Sequence, residues 1–497
     1  MFNWDTRYAK LLKNWSDQLE QGSVLEVGSG PSGIARYLKN TVTGAEIDDI
    51  QSCLPNLQIV KEDVTKLSFE DNSFDYVICS DVLEHLTYEQ RSSAVDECIR
   101  VSKKKCFIQG PHGNLARIGE LNLKLTLENA GRSLPSWLLE HLQNGMPQSA
   151  ETIDQIFKSG FQFSILVNET ATQHFSAVLM DLLFSNASMF YQMISTKNKL
   201  ADFHSFESDI PYSLLFIVEK NKPLKEAVDN FNRVKIKVNN EVDNNKIITH
   251  HSIHHKISGL ENISNLIKPF FVNDMISPGY TSLINPSGVL EESNERASEV
   301  SAIHYIWRKK LFSDIVGISH YRRYLYLFPE EISDFYIHIN PDDFKNYLKK
   351  IEDKMRINEL LANYDILISK PRVLDDLSIE DHYSCNHFPS DYYKCIEIIL
   401  NNYPYLESAL VESMQSNSLY NCNLFYCNAL LFDEFCKVWF DILDKYAYEV
   451  DVSGRNQYQK RDIAFLSERV FDIIVRHLKK IGFKTCELPI LAIHFEA

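Results

Sequence analysis

The residues best equipped for chemistry fall into three groups, one near the start of the chain and two in its second half. In the first, Gly28-Ser29-Gly30-Pro31-Ser32-Gly33 directly follows the apolar run Val24-Leu25-Glu26-Val27. Glycines at G-x-G-x-x-G spacing let the backbone approach a ligand at a helix N-terminus. By itself that spacing also fits dinucleotide-binding folds, or a tight turn with no ligand. In the second group, His320-Tyr321-Arg322-Arg323-Tyr324 sets two guanidiniums among aromatic rings. Arginine pairs bidentately with phosphate oxygens, and rings stack on a base or a sugar face. The same arginines could instead pair with the carboxylates of an acidic protein. His250, His251, His254 and His255 form a third cluster. Their H-H-x-x-H-H spacing matches no standard structural zinc pattern and fits a strand-end loop lining a ligand site better.

The elements that must position these residues alternate between strand and helix character. Strands are expected at 24–28, 42–48, 74–80 and 105–110, with helical spacing at 32–40 and 90–104. Such alternation implies a parallel sheet covered by helices. Residues 114–150 read as an insertion. A helix at 151–161, a strand at 161–167, helical character at 175–205 and a last strand at 211–221 complete one doubly wound domain. The polar stretch 221–245 reads as a linker. A second alternating segment follows from Lys246, with a helix at 293–310, strands from Asp314 and Asn363, and a polar loop feeding a helix over 381–400. The division expected is therefore 1–220, a linker at 221–245, and 246–497.

The stretch VLEVGSGPSGIARYL, then TGAEIDD, then VKEDVTKLSFEDNSFDYVICSDVLEHL (60–86), resembles class I S-adenosylmethionine-dependent methyltransferases of the small-molecule type. The resemblance implies a Rossmann-like fold and S-adenosylmethionine as cofactor. It places Glu26, Gly28, Gly30 and Gly33 at the glycine loop and Glu46 on the ribose hydroxyls. Asp63 falls on the adenine amino group, Val64 beside the ring, and Ser80 at the methionine end. Glu26 could equally serve only to hydrogen-bond the loop backbone. Positioning supplies most of the acceleration of methyl transfer, and a base matters only for a hydroxyl acceptor. Asp81 and His85 are the catalytic candidates, with His112 nearby. The acceptor should contact the 111–150 insertion and the 170–205 helices.

Five anchors in the second half are EVSAIHYIW, GISHYRRY, the HY…HF loop, NLFYC and FLSER. In this order they resemble a bacterial domain family of capsular and lipopolysaccharide glycosyltransferases. The resemblance implies a GT-A-like α/β domain with a nucleotide sugar as donor. Glu299 and Glu468 lie in anchor segments as candidate carboxylate bases. His251, His320, Arg322, Arg323, His382, His387 and Asn423 are candidate substrate-binding residues. The half has no convincing D-x-D, so divalent-metal dependence is left open, and no metal-ligand set is read anywhere in the chain.

A net charge of −16 argues against broad nucleic-acid binding. None of the ten cysteines forms a Cys-x-x-Cys pair, which suits a reducing compartment. Neither a secretory segment nor a membrane-spanning run is seen, so the expected location is the cytoplasm, with peripheral contact at the membrane allowed. The functional expectation is a bifunctional enzyme of capsule or O-antigen assembly that methylates a glycan and transfers a sugar to it. The alternatives are a methyltransferase whose second half only binds glycan or protein partners, and a small-metabolite methyltransferase with an unrelated appendage.

Overall fold

The computed structural model describes residues 2–183, 210–239, 246–261, 264–272, 281–283, 286–332 and 334–495. Beyond Leu183, the expected 175–205 helical stretch lies outside the described residues, as do linker residues 240–245. Two compact units emerge: Met1–Glu226 with Asp381–Pro404, and Ala227–Glu380 with Tyr405–Ala497.

The first unit is built on a seven-stranded sheet in the order β3-β2-β1-β4-β5-β7-β6. Its strands are β1 (Val24–Val27), β2 (Val42–Glu46), β3 (Leu57–Lys61), β4 (Phe74–Ser80), β5 (Ser102–Pro111), β6 (Phe161–Thr170) and β7 (Pro211–Pro223). The first five run parallel, and β7 is antiparallel to both β5 and β6. Strand order reverses between β1 and β4, so the carboxyl ends of β1, β2 and β4 open a crevice where open α/β sheets bind ligands. The N-terminal helix Phe2–Glu20 contributes Tyr8, Leu11 and Leu19 to a core shared with Val24, Ile78, Phe107 and Leu215. A T-x-x-Q capping box at Thr87 and Gln90 starts the helix Tyr88–Val101 after β4.

Three sequence expectations are corrected. Helical spacing at 32–40 yields only one short turn, Ile34–Arg36, because the loop spends its donors on side chains of other elements. The single helix expected at 293–310 is broken into Val289–Glu292, Asn294–Ala297 and Glu299–Arg308, with the break at Ser298, whose φ is 48°. The boundaries also differ. The expected linker contains the end of β7 and a helix, Phe231–Asn239, that belongs to the second unit. Residues 381–404, expected in the second domain, return to the first unit. The physical reason is edge protection: β6 is the edge of the sheet, and the helix Pro389–Asn402 packs on it. Asn401 reads the edge directly, donating to the Phe163 carbonyl (3.0 Å) and accepting from its amide (3.4 Å).

The second unit holds a mixed sheet. Strand Ile315–His320 is its centre, parallel to Ile248–His254 and antiparallel to Phe425–Asn428. Because Ile318 pairs with Phe425 in that antiparallel register, the end of the first strand lies beside the turn that starts the second. Helices Ala429–Glu449 and Asp462–Lys480 supply buried aromatic and aliphatic faces, including Trp439 and Phe471. Among the described residues no helix is long and apolar enough to cross a membrane.

Replacing Asn401 with Ala removes both edge bonds and should cost about 1 kcal/mol locally. Amide exchange along β6 should accelerate several-fold while the β1 and β4 amides keep their protection. Hydrogen exchange read by mass spectrometry checks this.

Candidate functional site

In the first unit the glycine loop is held from behind. Glu26, at the end of β1, is fully buried and accepts from the Tyr8 hydroxyl (2.6 Å) and the Ile34 amide (2.7 Å). Its carboxylate is thus the anchor of the loop and is closed to direct contact with a ligand. Burial pushes its pKa up to about 7, opposed by the two donors. Gly33 has φ 46°, and a Cβ there would overlap the Glu26 carboxylate, so the loop needs glycine at that position. Gly28 (φ 70°) is similarly closed by Val82.

Glu46, at the end of β2, accepts from the Gly30 amide and from Ser29 Oγ (3.2 Å). Asp63 is exposed and caps Thr65 through its amide (2.8 Å) and hydroxyl (2.7 Å), which hold its pKa low. Val64 is buried beside it. Ser80 is buried and accepts from Gln109 Nε2 at 2.7 Å, so it shapes the end of β4 rather than facing outward. Asp81, the next residue, takes φ 51° and pairs with Arg7 Nε at 2.5 Å.

Beyond Asp81 lies a cavity of about 280 Å³ lined by Arg7, Asp81, Glu84, His85, His141 and Tyr212, among others. The turn Leu83–His85 is clamped onto the helix Ser136–Asn144. Arg91 Nε donates to the Leu83 carbonyl (3.0 Å) and its Nη2 to that of Asn144 (3.2 Å), while Asn144 donates to the His85 carbonyl (2.8 Å). His85 therefore faces His141 from the 114–150 region, Nε2 to Nε2 at 3.2 Å. His112 is not at this surface. It is buried, held by the Gly110 carbonyl and Thr152, and burial lowers its pKa to about 4, which leaves it neutral and enclosed.

In the second unit four distant segments meet at one end of the central strand. His320 Nε2 lies 3.7 Å from Glu299 at the start of the helix Glu299–Arg308. Arg323, half-buried, sits in the field of Glu468 and Glu299. Glu468 accepts the Cys422 amide (3.1 Å) at a turn where Cys422 and Asn423 both take positive φ (70° and 52°). Asn423 is buried and donates to Ser467 (3.4 Å), so it builds the turn. Arg461 donates to Ser298 (3.2 Å), fixing the strained residue before Glu299. Burial, with help from Arg323 and Arg322, drives the His320 pKa down to about 3. Arg322 is exposed.

Not every candidate joins this cluster. Strand alternation splits the four histidines: His250 is bonded to Ser319 (2.8 Å) and Tyr426 (2.7 Å), His251 to the Leu311 carbonyl (2.7 Å). His251 is thus buried away from this cluster, whereas His255 shares the field of Glu299, His320, Arg461 and Arg322. Tyr324 is buried in a mixed aliphatic and aromatic core, so the basic–aromatic motif separates into buried rings, a half-buried Arg323 and an exposed Arg322. His382 and His387 lie on or just after the helix Ile379–Asn386, within the first unit's 381–404 segment. Sequence reasoning also missed Arg7, Tyr8, Glu120, His141 and Arg461, since each acts through a partner more than 17 residues away.

Residues 25–108 match the family described as "Methyltransferase domain", and residues 246–480 match one described as "Domain of unknown function (DUF4422)". No curated protein matches the chain. Among solved structures, the apo WbbM bifunctional glycosyltransferase is similar over 50% of this chain and 46% of its own, at 23% identity and a TM-score of 0.46. The Haemonchus contortus phosphoethanolamine N-methyltransferase 2, solved with phosphomonomethylethanolamine and S-adenosylhomocysteine, is similar over 44% of this chain and 53% of its own (17% identity, TM-score 0.28). An Archaeoglobus fulgidus SAM-dependent methyltransferase is similar over 43% of this chain and 92% of its own (15% identity, TM-score 0.26). The chain spans about half the length of the first two. Sheet order, glycine loop and family match define the first unit as a Rossmann-like class I methyltransferase domain. The first unit thus carries the methyltransferase-domain match, and the second half carries the DUF4422 match.

Glu26 titrates abnormally, and the direction of its effect follows. Its folded pKa, about 7, lies above the ordinary 4.5. The stability this lends is complete below about 4.5 and is lost as pH rises through about 7, a swing of about 3 kcal/mol. Urea midpoints of the first unit should therefore fall over that window. Glu26→Gln, which can still accept from Ile34, should flatten the slope; an unchanged slope would locate the titration elsewhere.

Proposed function

We propose that the chain is a two-headed transferase acting in the cytoplasm on a surface polysaccharide such as capsule or O-antigen. The first unit methylates a hydroxyl or a substituent of the glycan. The second transfers a sugar from a nucleotide sugar to it, with peripheral membrane contact bringing both to the same acceptor.

The observation carrying the reading of the first unit is the pairing of a ligand-ready loop with an adjacent cavity. Three positive-φ glycines and Glu46 suit a nucleoside at the sheet crevice. Bound there, S-adenosylmethionine supplies an electrophilic methyl group on a sulfonium. Glu46 would exchange its loop donors for the ribose hydroxyls, Asp63 and Val64 would flank the adenine, and Asp81, fixed by Arg7, would border the methionine end. The cavity of about 280 Å³ is at the small end of ligand pockets (about 300–1,000 Å³), which suits one sugar-sized group. An acceptor hydroxyl must lose its proton as it attacks, and His85, oriented by Glu140 at 2.8 Å, faces that space.

For the second unit the supporting observation is convergence of Glu299, His320, Arg323 and Glu468 from three separate anchors. The arginines would neutralise the donor diphosphate, and Glu299 or Glu468 would serve as the acceptor's base. His320, kept neutral by burial, would donate or accept a hydrogen bond without adding charge.

Glu46→Ala should weaken S-adenosylhomocysteine binding by about 1.5–3 kcal/mol, the range for hydrogen bonds to a charged group, as read by calorimetry; unchanged affinity would sink the cofactor assignment. Arg323→Ala should weaken nucleoside diphosphate-sugar binding by about 2–3 kcal/mol. Arg323→Lys should recover only part, because lysine lacks the planar fork, and S-adenosylhomocysteine binding should be unaffected. Equal nucleotide affinity in all three proteins would favour a second half that only binds glycan or protein partners.

A further inference from the structure

The methyltransferase unit places an uncommon set of side chains on its acceptor cavity. Glu84, His85 and His141 each offer a ligand atom, and these atoms lie within 4.8 Å of one another. His141 and Glu84 are buried, and His85 opens partly to the cavity. Each imidazole is gripped by its far nitrogen: His85 Nδ1 by Glu140 and His141 Nδ1 by Glu120, both at 2.8 Å. Glu120 is itself fixed, fully buried and accepting from the Tyr212 hydroxyl at 2.9 Å.

A carboxylate on Nδ1 makes that nitrogen the donor and leaves the Nε2 lone pair outward. Here the two Nε2 atoms lie 3.2 Å apart, so either one of them carries a proton and donates to the other, or both lone pairs face a cation. Ligand atoms around a tetrahedral zinc ion, with bonds of about 2.0–2.1 Å, are about 3.3 Å apart. The third group is equally unexplained. Neither carboxylate oxygen of Glu84 has a hydrogen-bond partner among the described residues, although the side chain is 1% exposed. A buried carboxylate without a donor is costly.

We propose that Glu84, His85 and His141 bind one divalent transition-metal ion of the zinc type, with Glu140 and Glu120 as orienting carboxylates. Two imidazoles and one carboxylate form the three-ligand set of an open site, and carboxylate–histidine pairs behind the ligands are its usual support. The fourth position would face the cavity. On the methyltransferase reading above, it would take an oxygen of the acceptor, and the metal would then lower that hydroxyl's pKa in place of proton removal by His85; the metal site itself rests only on the ligand geometry.

The test uses the full chain, stripped with chelator and titrated with zinc alone by calorimetry, with bound metal counted by elemental analysis. A parallel titration with cobalt reads coordination through its visible absorption. Wild type should take up one tight equivalent and give the intense cobalt band of a tetrahedral site. His85→Ala and Glu84→Gln should each lower the affinity by at least about 100-fold. Glu140→Gln, a half-exposed change that leaves all three ligands in place, should lower it by about 10–100-fold. S-adenosylhomocysteine binding on the same proteins reports the fold. If wild type takes up no tight equivalent, or if the variants keep it, the proposal is overturned. If His85→Ala also loses S-adenosylhomocysteine, Glu140→Gln decides. Loss of S-adenosylhomocysteine binding by wild type would instead strike the cofactor reading and leave the metal result standing.

Discussion

A carboxylate with no access to water, Glu26, holds the first unit's site together. Burying such a group without partners would be prohibitive, and here two donors from different elements meet it, the Tyr8 hydroxyl and the Ile34 amide. The pair ties the N-terminal helix to the loop that leaves β1. The residue before Tyr8 on that helix, Arg7, reaches Asp81 at the end of β4. One helix turn therefore sets both the glycine loop and the edge of the acceptor cavity. Gly33 completes the constraint, since any side chain there would displace the Glu26 carboxylate.

The second unit solves its positioning problem with backbone strain. Ser298, Cys422 and Asn423 all take positive φ without being glycine, at about 1–3 kcal/mol each. Each flanks a group of the cluster: Ser298 precedes Glu299, and the Cys422 amide is bound by Glu468. Such conformations persist only where neighbours fix them. Arg461 does so for Ser298, and the Arg296–Asp462 pair (2.7 Å) braces the short helix before it.

Burial also sorts the histidines by role. His112, His250 and His320 are enclosed and held neutral, with pKa values of about 4, 3 and 3. They serve as fixed hydrogen-bonding groups. His85 and His141 differ in having carboxylates on one nitrogen and a cavity on the other side.

The local signals in the chain marked every strand of the first sheet except β3, and its loop. Short apolar runs closed by glycine or acid named β1, β2 and β4, and G-x-G-x-x-G named the turn, because these depend on residues only a few positions apart. The same holds for the anchors around Glu299, Arg323 and Glu468, each of which sits on a short recognisable segment. What required the folded chain was every partnership across long separations. Tyr8 meets Glu26, Arg7 meets Asp81, and His141 meets His85 across 56 positions. The helix break at residue 298 and the single turn left of the helix expected at 32–40 go with tertiary contacts that no periodicity reports: Arg461 bonds the Ser298 hydroxyl, and Glu26 takes the Ile34 amide. The return of residues 381–404 to cover β6 was equally hidden, since an unprotected sheet edge exists only once the sheet has formed.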